Sequence, residues 1–88
     1  MKIEVKYLSL LERVVGTEAE ECELADGAST CELLDLLVEI HGDPLRQLLY
    51  SPDGRVIVSC LRNGKRIPSD AELVDGDEIA LVLLLPGG

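Results

Sequence analysis

One stretch of this chain, Ser29 to His41, has the length and pattern of a full amphipathic helix, and it limits the possible folds more than any other feature. Ser29 and Glu32 stand at capping-box spacing, in which each side chain satisfies a free backbone N–H of the first turn. Leu33, Leu36, Leu37 and Ile40 follow on one face, with Glu32, Asp35 and Glu39 as a narrow polar stripe opposite. Gly42 and Pro44 end the pattern. A single helix with so wide an apolar face must lie on a partner layer, and the segments around it read as strands.

Lys2 to Leu8 alternates, with Ile3, Val5 and Tyr7 facing one way and Lys2, Glu4 and Lys6 the other. Leu10 to Val15 places apolar pairs about one helical turn apart, and Gly16 can stop that turn. Glu20 to Leu24 alternates again, with Cys22 and Leu24 inward, and Asp26-Gly27 closes it. Asp43 to Tyr50 adds a further helical turn with Leu45, Leu48 and Leu49 inward, followed by a turn at Asp53-Gly54. Val56 to Leu61 reads as a strand. Asn63-Gly64 is a strong hairpin signal, because both central residues of that turn need positive φ. Lys65-Arg66-Ile67 begins the return, and Pro68 limits it to an edge. After the Asp75-Gly76-Asp77 turn, Glu78 to Leu84 forms the last strand, and about 85–88 is expected to be a flexible tail. The order is strand, strand, helix, strand, short edge strand, strand. Residues 1–88 are therefore expected to form one α+β domain of the β-grasp arrangement, a mixed sheet of four to five strands with one main helix packed on one face.

Composition narrows what such a domain can do. Eighty-eight residues bury a modest core and leave no room to wall off a large substrate cavity. With no Phe or Trp, and only Tyr7 and Tyr50 as aromatics, the core must be aliphatic. A net charge of -9 opposes both phosphate backbones and anionic lipid, so neither nucleic acid nor membrane is an expected partner, and a basic protein is the better complement. Cys22, Cys31 and Cys60 are too scattered for a disulfide framework or a zinc site and read as reduced, buried small hydrophobes. The N-terminus is neither a signal peptide nor a targeting helix, and Ile79 to Pro86 is too short to span a bilayer, which leads to a cytoplasmic expectation. No Ser-His-Asp order, Cys-His pair, phosphate loop or clustered metal ligand marks an enzyme. Glu18, Glu20, Glu21 and Glu23 read as a solvated face, and His41 as a helix C-terminal residue favoured by the dipole.

Several segments resemble a known family. Leu11-Glu12-Arg13-Val14-Val15-Gly16-Thr17-Glu18, directly after the first strand, is similar to the corresponding loop of the molybdopterin-synthase small subunit. Asn63-Gly64-Lys65-Arg66-Ile67, then Leu73 to Ala80, then Pro86-Gly87-Gly88, resemble the second half of that family. They also resemble the thiamine-biosynthesis sulfur carrier, which shares the ubiquitin-like β-grasp fold (together, MoaD/ThiS-like proteins). The likeness runs through the whole chain and is weakest over Asp43 to Arg55. The length fits the molybdopterin type better than the usually shorter thiamine type. Arg62 stands where the resemblance leads one to expect an apolar residue.

The resemblance implies a carrier, not an enzyme, with no cofactor bound by the chain itself. An adenylating, E1-like activating enzyme would use ATP and Mg to adenylate the carboxylate of Gly88. A sulfur donor protein would then leave a thiocarboxylate. The charged carrier would dock into the large subunit of molybdopterin synthase, or a related acceptor, and deliver sulfur for molybdenum or tungsten cofactor biosynthesis. The residues suit that role. Gly87 and Gly88 lack a Cβ and can thread a narrow channel, and Pro86 stiffens the base of the tail. If Ile79, Leu81 and Leu83 face the core, then Ala80, Val82 and Leu84 face outward. Leu61 then shares that face, and Leu85 continues towards the tail. An apolar patch there marks a protein interface. Lys65 and Arg66, at the hairpin, can orient a partner acid. Three alternatives stand beside this reading: a thiamine-type carrier, a ubiquitin-like protein modifier joined through Gly88 to lysines, and a passive β-grasp interaction module.

Overall fold

Alternation in Lys2–Tyr7 (β1) has the consequence that period two demands: Ile3, Val5 and Tyr7 are buried, and Lys2 and Glu4 face solvent. The structure, a computed structural model, describes residues 1–83. After β1 come α1 (Leu10–Val15), β2 (Ala19–Glu23), α2 (Thr30–His41), α3 (Asp43–Leu49), β3 (Val58–Arg62), β4 (Lys65–Ile67) and β5 (Glu78–Leu83). The five strands form one sheet in the order β2-β1-β5-β3-β4. β1 and β5 run parallel at its centre, and the other neighbours are antiparallel. This is the mixed β-grasp sheet expected from the element order.

The β3–β4 hairpin turns on Asn63 and Gly64, whose φ angles of 54° and 77° are both positive, with Arg62 opposite Lys65. Its second strand is an edge of the sheet. Gly42, at φ 80°, closes α2 through its N–H to the Val38 carbonyl and opens α3 through its own carbonyl to the Arg46 N–H. Pro44 falls in the first turn of α3, where its missing N–H costs nothing. At the start of α2, Ser29 Oγ accepts from the Glu32 N–H at 3.3 Å. The reciprocal half of the expected capping box is not formed among the described residues.

The face that α2 buries differs from the expected one. Thr30, Leu33, Leu34 and Leu37 are buried, Leu36 is half-buried, and Ile40 is 55% exposed. Apolar residues at 33, 34, 36, 37, 38 and 40 fit several overlapping faces, so periodicity alone does not choose one. The choice is made by a distant loop. Thr30 and Cys31 donate their N–H groups to the Ala71 and Ser69 carbonyls, and Leu73 donates back to the Ala28 carbonyl. That clamp sets the rotation of the helix and places Leu73 itself fully inside the core.

Two further expectations are corrected. The third strand starts at Val58, because Val56 bridges to Tyr50 and the Ile57 N–H is bound to the Leu49 carbonyl. Glu20 is not part of a solvated face. It lies opposite Val5 on the inner side of β2, accepts from Tyr7 Oη at 2.7 Å, and meets His41 Nε2 at 2.8 Å. Burial and the adjacent Glu20 carboxylate push the Tyr7 phenol far above its ordinary pKa.

The core is aliphatic, as composition required. Ile3, Val5, Leu11, Leu33, Leu34, Leu37, Leu45, Leu49, Leu73, Ile79 and Leu81 are closed to solvent around Tyr7. Leu48 is only partly buried. Cys22 and Cys60 sit in this core, whereas Cys31 is half-buried at the start of α2, and all three are free thiols. Burial raises the Cys22 thiol and pushes Cys60 up to about 11. No helix of the described residues is long and apolar enough to cross a membrane.

Candidate docking face

The side of the sheet turned away from the buried core carries the residues singled out for partner binding. On β5, Ile79 and Leu81 are fully buried and Leu83 packs against the core, so Ala80 and Val82 point the other way, half-buried. Leu61 is directly opposite Ala80, and Ser59 opposite Val82. Leu61, Ala80 and Val82 are thus brought together. Leu84, Leu85, Pro86, Gly87 and Gly88, the remaining site candidates, lie outside the described residues.

Two residues missed at the sequence level extend this surface. Leu8 is 43% exposed and its N–H continues the β1–β5 ladder to the Leu81 carbonyl, which carries it past Lys6 on the outward side, beside Val82. Ile57 is 45% exposed and shares the parity of Ser59 and Leu61. Each lies one residue outside its strand, so the only signal in the sequence was an apolar side chain in phase with the outward residues of the neighbouring strand.

Polar groups frame the apolar strip by rows. The register aligns Arg66, Leu61, Ala80, Lys6 and Ala19 across five strands. One row further from the end of β5 stand Glu78, Glu4 and Glu21. Lys6 reaches Glu78 at 3.2 Å. Arg66 instead donates to Ser59 Oγ at 2.8 Å, and Ser59 is 6% exposed beneath it. Arg62 stands on the inner side, opposite Ile79. Its guanidinium donates to Asp77 Oδ2 at 2.9 Å and to the Glu72 carbonyl at 3.2 Å. That accounts for a cation where an apolar residue was expected: it ties down the loop that carries Leu73.

The helical side offers less chemistry. A shallow groove is lined by Arg46, Gln47, Tyr50, Ser51 and Pro52, but the Tyr50 hydroxyl is committed to Asp35 Oδ1 at 2.8 Å. Among the described residues no group of three or more His, Cys, Asp or Glu is placed to hold a metal ion.

A sequence model of the ThiS family matches residues 5–88. The chain belongs to the ThiS family. It is 34% identical over 89 residues to the molybdopterin synthase sulfur carrier subunit of Chlamydomonas reinhardtii, covering 100% of both chains. Its structure is similar to the crystal structure of SAMP1, a small archaeal modifier protein, from Haloferax volcanii, with a TM-score of 0.89, 28% identity and 100% of both chains covered. It is also similar to a molybdopterin converting factor subunit 1 from Pyrococcus furiosus, with a TM-score of 0.80 and 27% identity over 97% of this chain and 99% of that one. The chain is therefore a sulfur carrier of the ThiS type and a homologue of the molybdopterin synthase small subunit. Within the ThiS family it is a ubiquitin-like carrier protein, not a catalytic enzyme.

Proposed function

We propose that this chain carries sulfur as a thiocarboxylate on Gly88 and donates it in molybdopterin biosynthesis. The observation that carries this reading is the full-length identity with a molybdopterin synthase sulfur carrier subunit. A free carboxylate is a poor electrophile. Attack of a Gly88 carboxylate oxygen on the α-phosphate of ATP, with Mg, releases pyrophosphate and leaves an acyl adenylate on the activating enzyme. Hydrosulfide-level sulfur released by the donor then attacks the acyl carbon, the carbon–oxygen bond to AMP breaks with AMP as the leaving group, and the thiocarboxylate remains. The carrier supplies the reactive end, through Gly87 and Gly88, and a surface by which partners hold it. We assign that surface to the outward strip of Leu8, Leu61, Ala80 and Val82, with Leu84, Leu85 and Pro86, which follow in sequence, as the remaining candidates for partner binding. The partners are the activating enzyme, the sulfur donor and the large synthase subunit.

The test is the intact mass of the chain after incubation with an activating enzyme, ATP, Mg and a sulfur donor. A gain equal to one oxygen replaced by sulfur, absent when Gly88 is deleted, is the expected result. A normal rate of cofactor synthesis with the Gly88 deletion would overturn the reading. The likeness to SAMP1 supports a second reading, a protein modifier joined through the same glycine to lysines of other proteins. Isopeptide-linked conjugates of the chain in its source cell would favour it, and their absence beside an active thiocarboxylate would favour the carrier.

A further inference from the structure

In a chain of net charge -9, three cations of the described residues, Arg13, Lys65 and Arg66, pair with no carboxylate, and of these Arg66 is the one in the outward row of the sheet, opposite Leu61. Lys2, Lys6, Arg46, Arg55 and Arg62 each meet an acid of the chain itself. Arg66 is nevertheless held in position. Its guanidinium donates to Ser59 Oγ at 2.8 Å, and Ser59 is almost fully buried under it. The pair sits at one end of the row Arg66, Leu61, Ala80, Lys6, at the border of the apolar strip. A guanidinium has five N–H donors, and this bond uses one of them, so a planar, pre-ordered donor set remains for an incoming group.

We propose that Arg66 is the charge-reading residue of the docking face: it receives an Asp or Glu carboxylate of the large synthase subunit, set beside the apolar anchor that covers Leu61 and Val82. This rests on the docking reading above and deepens it. Charge complementarity selects the occupant. Whatever the partner's overall charge, a contact with no acid at this point would bury a guanidinium that no carboxylate of the described residues pairs, whereas a carboxylate there matches it with two parallel hydrogen bonds. Ser59 is the positioning residue, since it holds the guanidinium along β3 before the partner arrives. Lys6, about 14 Å away across three strand spacings, is already neutralised by Glu78 and serves as the internal contrast.

The experiment measures the Kd between the full carrier and the large subunit from the same source, at low and high salt. The arms are the natural chain, Arg66→Gln, Arg66→Lys, Lys6→Gln and Val82→Asp, with circular dichroism as the check on folding. Gln keeps a donor for Ser59, so Arg66→Gln removes the charge without stripping cover from the hydroxyl. The expected result is a loss of about tenfold or more for Arg66→Gln, with a weaker salt dependence. Arg66→Lys should recover only part of it, and Lys6→Gln should stay within about twofold. Arg66→Gln binding as tightly as the natural chain, while Val82→Asp does not bind, overturns the inference and leaves the docking face standing. Failure of the natural chain to bind overturns both.

Discussion

Asp77 Oδ2 accepts from the Val74 backbone N–H and from the Arg62 guanidinium, at 2.9 Å each. Its own N–H and carbonyl are bound to Val74 and Glu4. One side chain thus closes a turn, joins it to β3, and fixes the point from which β5 starts. The Asp77→Ala chain should lose about 1–3 kcal/mol, because it leaves the Val74 N–H and the Arg62 charge without their acceptor. Urea unfolding measures this, and an unchanged midpoint would show the cluster to be ornamental. The same residues explain what was not readable beforehand. Asp75-Gly76-Asp77 announced a turn through local chemistry. That Arg62, fifteen positions earlier, would complete the cluster is a consequence of strand pairing between β3 and β5 and has no local mark.

The elements divide in the same way. The hairpin at Asn63-Gly64 and the helix cap at Ser29 were legible because a few neighbouring residues decide each of them. The rotation of α2 was not, because contacts with Ser69, Ala71 and Leu73 decide it and the helix itself is apolar on too many sides. A pair of substitutions measures that rotation. Leu34→Ala should cost about 2–5 kcal/mol, as for a closed core position. Ile40→Ala should stay within about 0.5 kcal/mol, since the side chain is 55% exposed. The opposite ranking would restore the face expected from periodicity. Of the candidate site, Leu61, Ala80 and Val82 were legible from alternation in two strands. Leu8 and Ile57 sit just beyond strand ends, where alternation is no longer tested by a neighbour on each side.

At the scale of the whole molecule, two buried thiols and both phenols share a direction. Cys22, Cys60, Tyr7 and Tyr50 are all raised, in each case first by burial. A proton held more tightly in the folded state than in the unfolded chain leaves stability intact below the unfolded pKa. Stability then falls as pH rises, because the unfolded chain ionises first. For Cys60 the window runs from 9.0 to about 11. The urea midpoint should therefore fall between about pH 8 and about pH 10.5, and Cys60→Ala should fall less steeply. A midpoint that stays level over that range would contradict the burial of these groups.

The position of β5 between β1 and β3 has a mechanical consequence. Its hydrogen bonds to both neighbours lie across the strand direction. Tension applied along β5 from its Leu83 end loads both ladders at once, in shear, so many bonds must yield together. A strand at the margin of the sheet, such as β4, could be peeled away one bond at a time. A protein that is gripped and drawn by the end of its last strand is therefore built to be pulled there without unravelling.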